Sequence, residues 1–409
     1  MTTGPAPEAD ELARVVREHA GRLAAALIHL TGDFGTAEDL VQDAVLAALK
    51  HWPEDGIPER PDGWLFTVAK RRGLDLLRRE ENHRRKLELL TWPPREADDE
   101  PDERLRLVFT CCHPALTQEA QIALTLRVVC GLTTAQIARA FLVRESTVAQ
   151  RITRAKQKIT RAGIPYRIPA DDELAGRLAQ VLAVIYLLFN EGYLATSGAP
   201  QSHDLADDAE WLAALLHRLM PAEPEPAGLL ALIRLHRARN AARFTPQGHL
   251  VRLADQDRSR WDHEAIAAAT ALLTRAARRR RPGPYQLQAA IVACHAEAAR
   301  WEDTDWEQIL VLYDMLLHFA PSPVTRLHRA IALRYVQGPE PALAEVDALA
   351  GQLAQYHLLH ATRADLLRDL GRADEARAAD RRALDLTTNP AERAVLRERA
   401  DGGLSRRPR

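Results

Sequence analysis

The stretch that decides the fold is GLTTAQIARAFLVRESTVAQRITRA, running from Gly131 to Ala155. Its first half sets Ile137, Ala138 and Phe141 on the inward side of a short helix, and a tight turn at Leu142, Val143 and Arg144 follows. Glu145 or Ser146 then opens a second helix in which Val148, Ile152 and Ala155 recur at i, i+4 and i+7 and so face a core. The other face carries Arg144, Ser146, Thr147, Gln150, Arg151 and Arg154, with Lys156, Lys158 and Arg161 after them. Polar side chains near the helix N-terminus suit base edges, and arginines beside them suit phosphates, which is the requirement of a helix-turn-helix. The alternative is an ordinary helical hairpin with a solvated basic face; the turn spacing together with the one-sided charge favours the helix-turn-helix.

Upstream, Leu12 to Leu30 reads as an alanine-rich amphipathic helix broken by Thr31-Gly32-Asp33-Phe34-Gly35. Thr36 is expected to cap the next helix, which runs to about Lys50 with Asp39 at its third position. The segment from His51 to Gly63 holds Pro53, Gly56, Pro58, Pro61 and Gly63 and predicts a loop. A helix from Trp64 to about Glu80 follows, bearing Lys70, Arg71, Arg72, Arg78 and Arg79. An aromatic heading a basic helix suits single-stranded DNA, where base stacking and phosphate neutralisation act together. Thr91 to Glu103 is acidic, contains prolines and lacks any period, so it reads as a linker. Helices are predicted again over 105–112, 117–130, 134–141 and 145–160, and Gly163, Pro165 and Pro169 mark a second boundary.

Beyond Asp171 the chain keeps to short helices and short loops. Ala330 and Ala364, Leu333 and Leu367, Arg334 and Arg368, and Ala342 and Ala376 are each 34 residues apart, with Gly338 and Gly371 near the same register. Small residues at that period are the signature of tetratricopeptide-like (TPR-like) helix pairs. Asn190-Glu191-Gly192-Tyr193 reads as a helix C-cap with a polar turn.

Composition agrees with helix throughout. Of 409 residues, aromatics are 5% while apolar residues are 46% and charged ones 27%, which permits a packed core and disfavours strands. The net charge of −1 announces no nucleic acid globally, so the local basic stripes carry that message. The longest apolar run, Leu178 to Phe189, is about 12 residues where a span needs roughly 20, and Met1 to Asp10 lacks the pattern of a signal peptide. A cytoplasmic protein without membrane contact is expected. Cys111, Cys112, Cys130 and Cys294 form no chelating pattern, and the adjacent pair reads as small packing residues. With no nucleophile–base pair, phosphate-cradling glycine loop or metal constellation, neither an enzyme nor a cofactor is expected.

Two more segments complete the pattern. Ala37 to Leu49 resembles the sigma factor helix that grips the clamp helices of RNA polymerase, and Trp64 to Arg79 is similar to the helix that meets the −10 element. The helix-turn-helix resembles the −35 reader of the same family, the extracytoplasmic-function (ECF) sigma factors. The likeness covers residues 10–165 with the motifs in order.

The resemblance implies an all-α chain with region 2 over 10–86, an acidic linker over 87–104, region 4 over 105–162 and a TPR-like extension over 171–402. It implies core RNA polymerase and promoter DNA as partners. Polymerase binding is expected from Asp39, Leu40, Gln42, Asp43 and Leu46, and −10 contacts from Trp64, Lys70, Arg71, Arg72, Arg78 and Arg79. Contacts to the −35 element are expected from Arg144, Ser146, Thr147, Gln150, Arg151 and Arg154. The pocket for a flipped base would lie in His51–Gly63, and Asp98, Asp99, Glu100, Asp102 and Glu103 would run through the polymerase channels. The extension resembles that of a subgroup with a TPR-like C-terminal domain, either acting in cis or docking a protein or ligand. The alternative is a helix-turn-helix regulator with a helical sensor domain, which accounts for 131–161 and the repeats but leaves the first basic helix unexplained.

Overall fold

The computed structural model describes residues 7–31, 33–77, 103–141, 143–194, 205–245, 250–387, 393, 396–397 and 399. Among them the fold is all helical, and the sole β pairing is an isolated bridge between Phe244 and Leu250. The chain divides into two compact units, Met1–Leu219 and Met220–Arg409. Most of the acidic linker, including Asp98 to Asp102, lies outside the described residues, as do Arg78 and Arg79.

The first unit begins with α1 (Pro7–Thr31), α2 (Phe34–Asp55) and α3 (Pro61–Leu77), which pack together. Alternating rows of Leu23, Leu27, Leu40, Val41, Ala44, Val45 and Leu65 are fully or nearly fully buried between them. The N-cap of α2 is Asp33 rather than the expected Thr36: its carboxylate accepts from both the Thr36 amide and the Thr36 hydroxyl at 2.7 Å. Burial would raise the Asp33 pKa, but the hydrogen bonds from Thr36 and the Gly35 amide, together with the Lys156 charge, outweigh it and leave it lowered. The expected loop from His51 to Gly63 shortens to five residues. Helix α2 continues through Pro53, which gives up the amide that would donate to the carbonyl four residues back, and closes with the Gly56 amide donating to Trp52 O at 2.9 Å.

Next come α4 (Glu103–Cys111), α5 (Gln118–Val128), α6 (Thr134–Ala140) and α7 (Glu145–Arg161), at the bounds the sequence predicts to within two residues. Helix α4 packs against α1, and the link between α5 and α6 lies against α1 as well. There Gly131 adopts φ +74°, and a Cβ on it would stand 2.9 Å from the Ala20 Cβ and 3.2 Å from Val16 Cγ1. Cys111 and Cys112 are fully buried in the packing of α4, where burial pushes the Cys112 thiol up to about 11.

Two further helices, α8 (Asp171–Leu194) and α9 (Leu205–Leu219), complete the unit. Arg177 of α8 donates to Phe109 O at 2.6 Å, and Gln180 to Gln121 Oε1 at 2.9 Å, so α8 is fastened to α4 and α5. The compact unit therefore runs past the Gly163–Pro169 break. Gly192 does not cap α8; it lies inside the helix, where a Cβ would meet the Ala206 amide at 2.5 Å. Its lack of a side chain lets the start of α9 approach.

The second unit comprises α10 (Pro224–Arg237), α11 (His263–Ala277), α12 (Pro284–Glu297), α13 (Trp306–Phe319), α14 (Pro323–Gln337), α15 (Pro339–Ala348), α16 (His357–Asp369) and α17 (Ala373–Leu386), with one-turn helices between some of them. The 34-residue spacing falls on equivalent places of the pairs α14–α15 and α16–α17. Ala330, Ala364, Ala342 and Ala376 are buried where helices touch, and Gly338 and Gly371 make the turns at φ +94° and +75°. The equivalent arginines each take a carboxylate: Arg334 binds Asp369 at 2.5 Å, and Arg368 binds the fully buried Asp380.

Candidate polymerase and promoter interface

The helix-turn-helix is built from local rules. Thr133 and Gln136 form a reciprocal capping box on α6, with the Thr133 hydroxyl accepting from the Gln136 amide and Gln136 Oε1 accepting from the Thr133 amide. The chain then turns, and the Val143 amide donates to Ala138 O at 3.0 Å. Helix α7 buries Val148, Ile152, Ala155 and Ile159, one residue beyond the expected stripe. Phe141, expected inward, is half-buried.

This stripe leaves the candidate −35 residues on the opposite side. Arg144, Ser146, Gln150 and Arg154 are exposed, while Thr147 and Arg151 are half-buried. They occupy the N-terminal two-thirds of α7, the part a major groove admits. On α3, Arg71 and Arg72 are exposed and Lys70 is half-buried. Trp64 sits edge-on to Trp52 with ring centroids 5.2 Å apart, which fixes its indole at the α2–α3 corner.

The α2 candidates separate into two groups. Asp39, Asp43 and Leu46 recur at i, i+4 and i+7 on an exposed face, and Leu46 is 51% exposed despite being apolar. Leu40 is fully buried in the core between helices, and Gln42 is buried with its amide donating to Arg127 O at 2.9 Å.

Sequence reasoning missed the group beside them. Glu38 is 1% exposed and binds two cations, Arg127 through Nε at 2.6 Å and Lys156 through Nζ. Lys156 also binds Asp39 at 2.9 Å, and Arg127 donates to the Thr134 hydroxyl at 2.9 Å. Burial would lower the Lys156 pKa, but the Glu38 charge and the hydrogen bonds to Glu38 and Asp39 outweigh it and hold the ammonium raised. One carboxylate of α2 thus fastens α5 and α7. In the sequence Glu38 is an unremarked acid in a helix, and its nearer partner lies 89 residues away.

Comparison with known proteins bears on these elements directly. Residues 15–83 match the family described as Sigma-70 region 2, and residues 106–159 match Sigma-70, region 4. Residues 177–277 match a family of unknown function, DUF6596, which begins at the arginine that fastens α8 to α4. An uncharacterized protein of Rhizobium meliloti is 46% identical over 394 residues, covering 92% of both chains. The ECF RNA polymerase sigma factor SigL of Mycobacterium tuberculosis is 33% identical over 151 residues, covering 36% of this chain and 85% of SigL. SigJ of the same organism is 29% identical over 185 residues, covering 41% of this chain and 56% of SigJ. With both sigma regions matched in order and SigL matched over most of its length, the chain belongs to the ECF RNA polymerase sigma factors, which act in transcription initiation.

Proposed function

We propose that the chain binds core RNA polymerase through the exposed α2 face of Asp39, Asp43 and Leu46. On this reading α3 meets the −10 element through Trp64, Lys70, Arg71 and Arg72, and α7 reads the −35 element through Arg144, Ser146, Thr147, Gln150, Arg151 and Arg154. The observation that carries it is α7, whose polar and basic residues stand opposite a fully apolar buried stripe in a family that initiates transcription.

The helical region after α7 modulates this activity in cis. Its fastening to α4 and α5 by Arg177 and Gln180 supports that part of the reading. The buried small residues at a 34-residue period support a TPR-like stack with a further surface for a protein or ligand. Purified chain added to core polymerase is expected to start transcripts from a promoter it selects with no other sigma factor present. Failure to bind core enzyme would remove the reading.

A further inference from the structure

In the second unit, five of the seven residues from Arg275 to Arg281 are arginines, and no acid stands between Glu264 and Glu297. The run closes α11 and turns the corner towards α12. Arg275, Arg278, Arg279 and Arg280 are all exposed. The corner beneath them is fixed: the Arg278, Arg279 and Arg280 amides donate to Thr274 O, Ala276 O and Ala277 O at 3.2, 3.1 and 3.0 Å, and Gln286 Nε2 donates to Arg281 O at 2.9 Å. Arg281 takes Glu223 at 2.7 Å, and Arg279 donates only to Ala222 O, at 3.4 Å. Among the described residues Arg275, Arg278 and Arg280 take no carboxylate. The helix dipole favours cations at this end, but arginines at i, i+3 and i+4 also repel one another, so the dipole alone gives no reason for four.

We propose that this corner is a sequence-independent contact to the phosphate backbone of duplex DNA. The inference rests on the reading of the chain as a promoter-binding factor and adds a DNA contact outside its two sigma regions. Charge density is the first support. Arg275 and Arg279 are about 6 Å apart along the helix axis, and a duplex carries about one phosphate charge per 1.7 Å of its own axis, so its backbone supplies anions as closely as the cluster presents cations. Guanidinium groups match phosphate oxygens two at a time. Shape is the second. The exposed side of α11 beside the cluster is Ala267, Ala268, Ala271 and Thr274, small side chains that let a rigid backbone approach. Composition is the third: from Glu264 to Arg281 there is no aromatic residue, asparagine or glutamine. The corner therefore lacks the rings that stack single strands and the amides that read base edges, which leaves phosphates as its target.

Salt dependence tests this contact. The full-length chain carrying Arg275→Gln, Arg278→Gln and Arg280→Gln is titrated alone with a duplex of no promoter sequence, and together with core polymerase on a promoter fragment. Losing three phosphate contacts is expected to reduce the slope of log affinity against log salt by about 2.7 in both titrations, so that from about 50 to 200 mM salt the unsubstituted chain loses about 40-fold more affinity than the variant. Lysine at the same three positions keeps the charges and is expected to keep the slope. An unchanged slope with the glutamine variant in either titration overturns the contact, and so does a slope lost equally in the lysine variant, which would trace the effect to the fold. Weakened binding to core polymerase with unchanged slopes on DNA would overturn it in favour of an acidic protein surface. If the slope falls on plain duplex but the polymerase complex selects no promoter, the proposed function fails and the contact stands.

Discussion

Gly131 and Ala20 meet so closely that a methyl group on the glycine would lie 2.9 Å from the alanine Cβ. Gly131 also sits at φ +74°, where any side chain is strained. Gly131→Ala is therefore expected to destabilise the first unit by about 1–3 kcal/mol through overpacking and backbone strain together. Gly163→Ala is the control, since Gly163 has φ +59° but nothing within 4 Å of an added Cβ. Equal denaturant midpoints for the two variants would show that the contact with α1 contributes nothing.

Polymerase binding should depend on the exposed face of α2. Asp43→Arg combined with Leu46→Glu is expected to abolish co-purification with core polymerase while leaving helix content intact, because neither side chain is buried. Undiminished co-purification would exclude this face.

Promoter contacts on α7 can be sorted by their salt response. An arginine on a phosphate, changed to alanine, should weaken binding to all sequences and reduce the salt slope by about one unit. One on a base edge should relax preference at a single position at a cost of about 1–3 kcal/mol. Arg154, exposed at the far end of the polar face, is expected to behave in the first way, and Gln150 or Arg151 in the second. A scan of −35 variants in which none of the three shows either pattern would exclude α7 as the reader.

Truncation should respect the unit rather than the proline-marked break. Leu105 and Val108 of α4 share an apolar site with Ile185 of α8 and with Leu212, Leu215 and Leu216 of α9. A chain ending at Leu219 keeps that site closed. A chain ending at residue 168 opens it and is expected to aggregate, or to melt roughly 10 °C lower than the longer fragment. Matching thermal midpoints would show that α8 and α9 do not support the helices before them.

The thiols offer a check on the α4 packing. Burial raises the Cys111 and Cys112 pKa values, the latter to about 11, so both stay protonated at pH 8. Protonated thiols are poor nucleophiles, and alkylation of this pair is expected only after unfolding. Rapid labelling of either in native protein would contradict the packing.

Much of this architecture was readable in the residues because it is local. The stripe Val148, Ile152 and Ala155 is a period within one helix, and the break near Gly163 is turn chemistry. The 34-residue repeat of Ala330, Leu333 and Arg334 is a self-comparison. What escaped reading was long-range. Nothing near Glu38 distinguishes it from a solvated acid, and Leu40 has the same neighbours in sequence whether it faces polymerase or a core. Gly192 reads as a cap in the sequence because a helix-ending glycine and a close-packing glycine look alike until the start of α9 lies beside it. Asp33 and Thr36 are both cap residues by type, and only geometry shows the carboxylate accepting from the threonine.

The buried spacing of Val148, Ile152, Ala155 and Ile159 on α7 separates what holds the helix from what it displays. Four apolar side chains and the Lys156 ion pair hold it in place, while Arg144, Ser146, Gln150 and Arg154 stand exposed and Thr147 and Arg151 are half-buried. Those positions can then be exchanged as a cassette, so a new promoter preference is reachable by rewriting them without refolding the scaffold. Divergence among paralogues, and any engineered set of mutually insulated sigma factors, should accumulate on that outward face while the four anchors stay aliphatic.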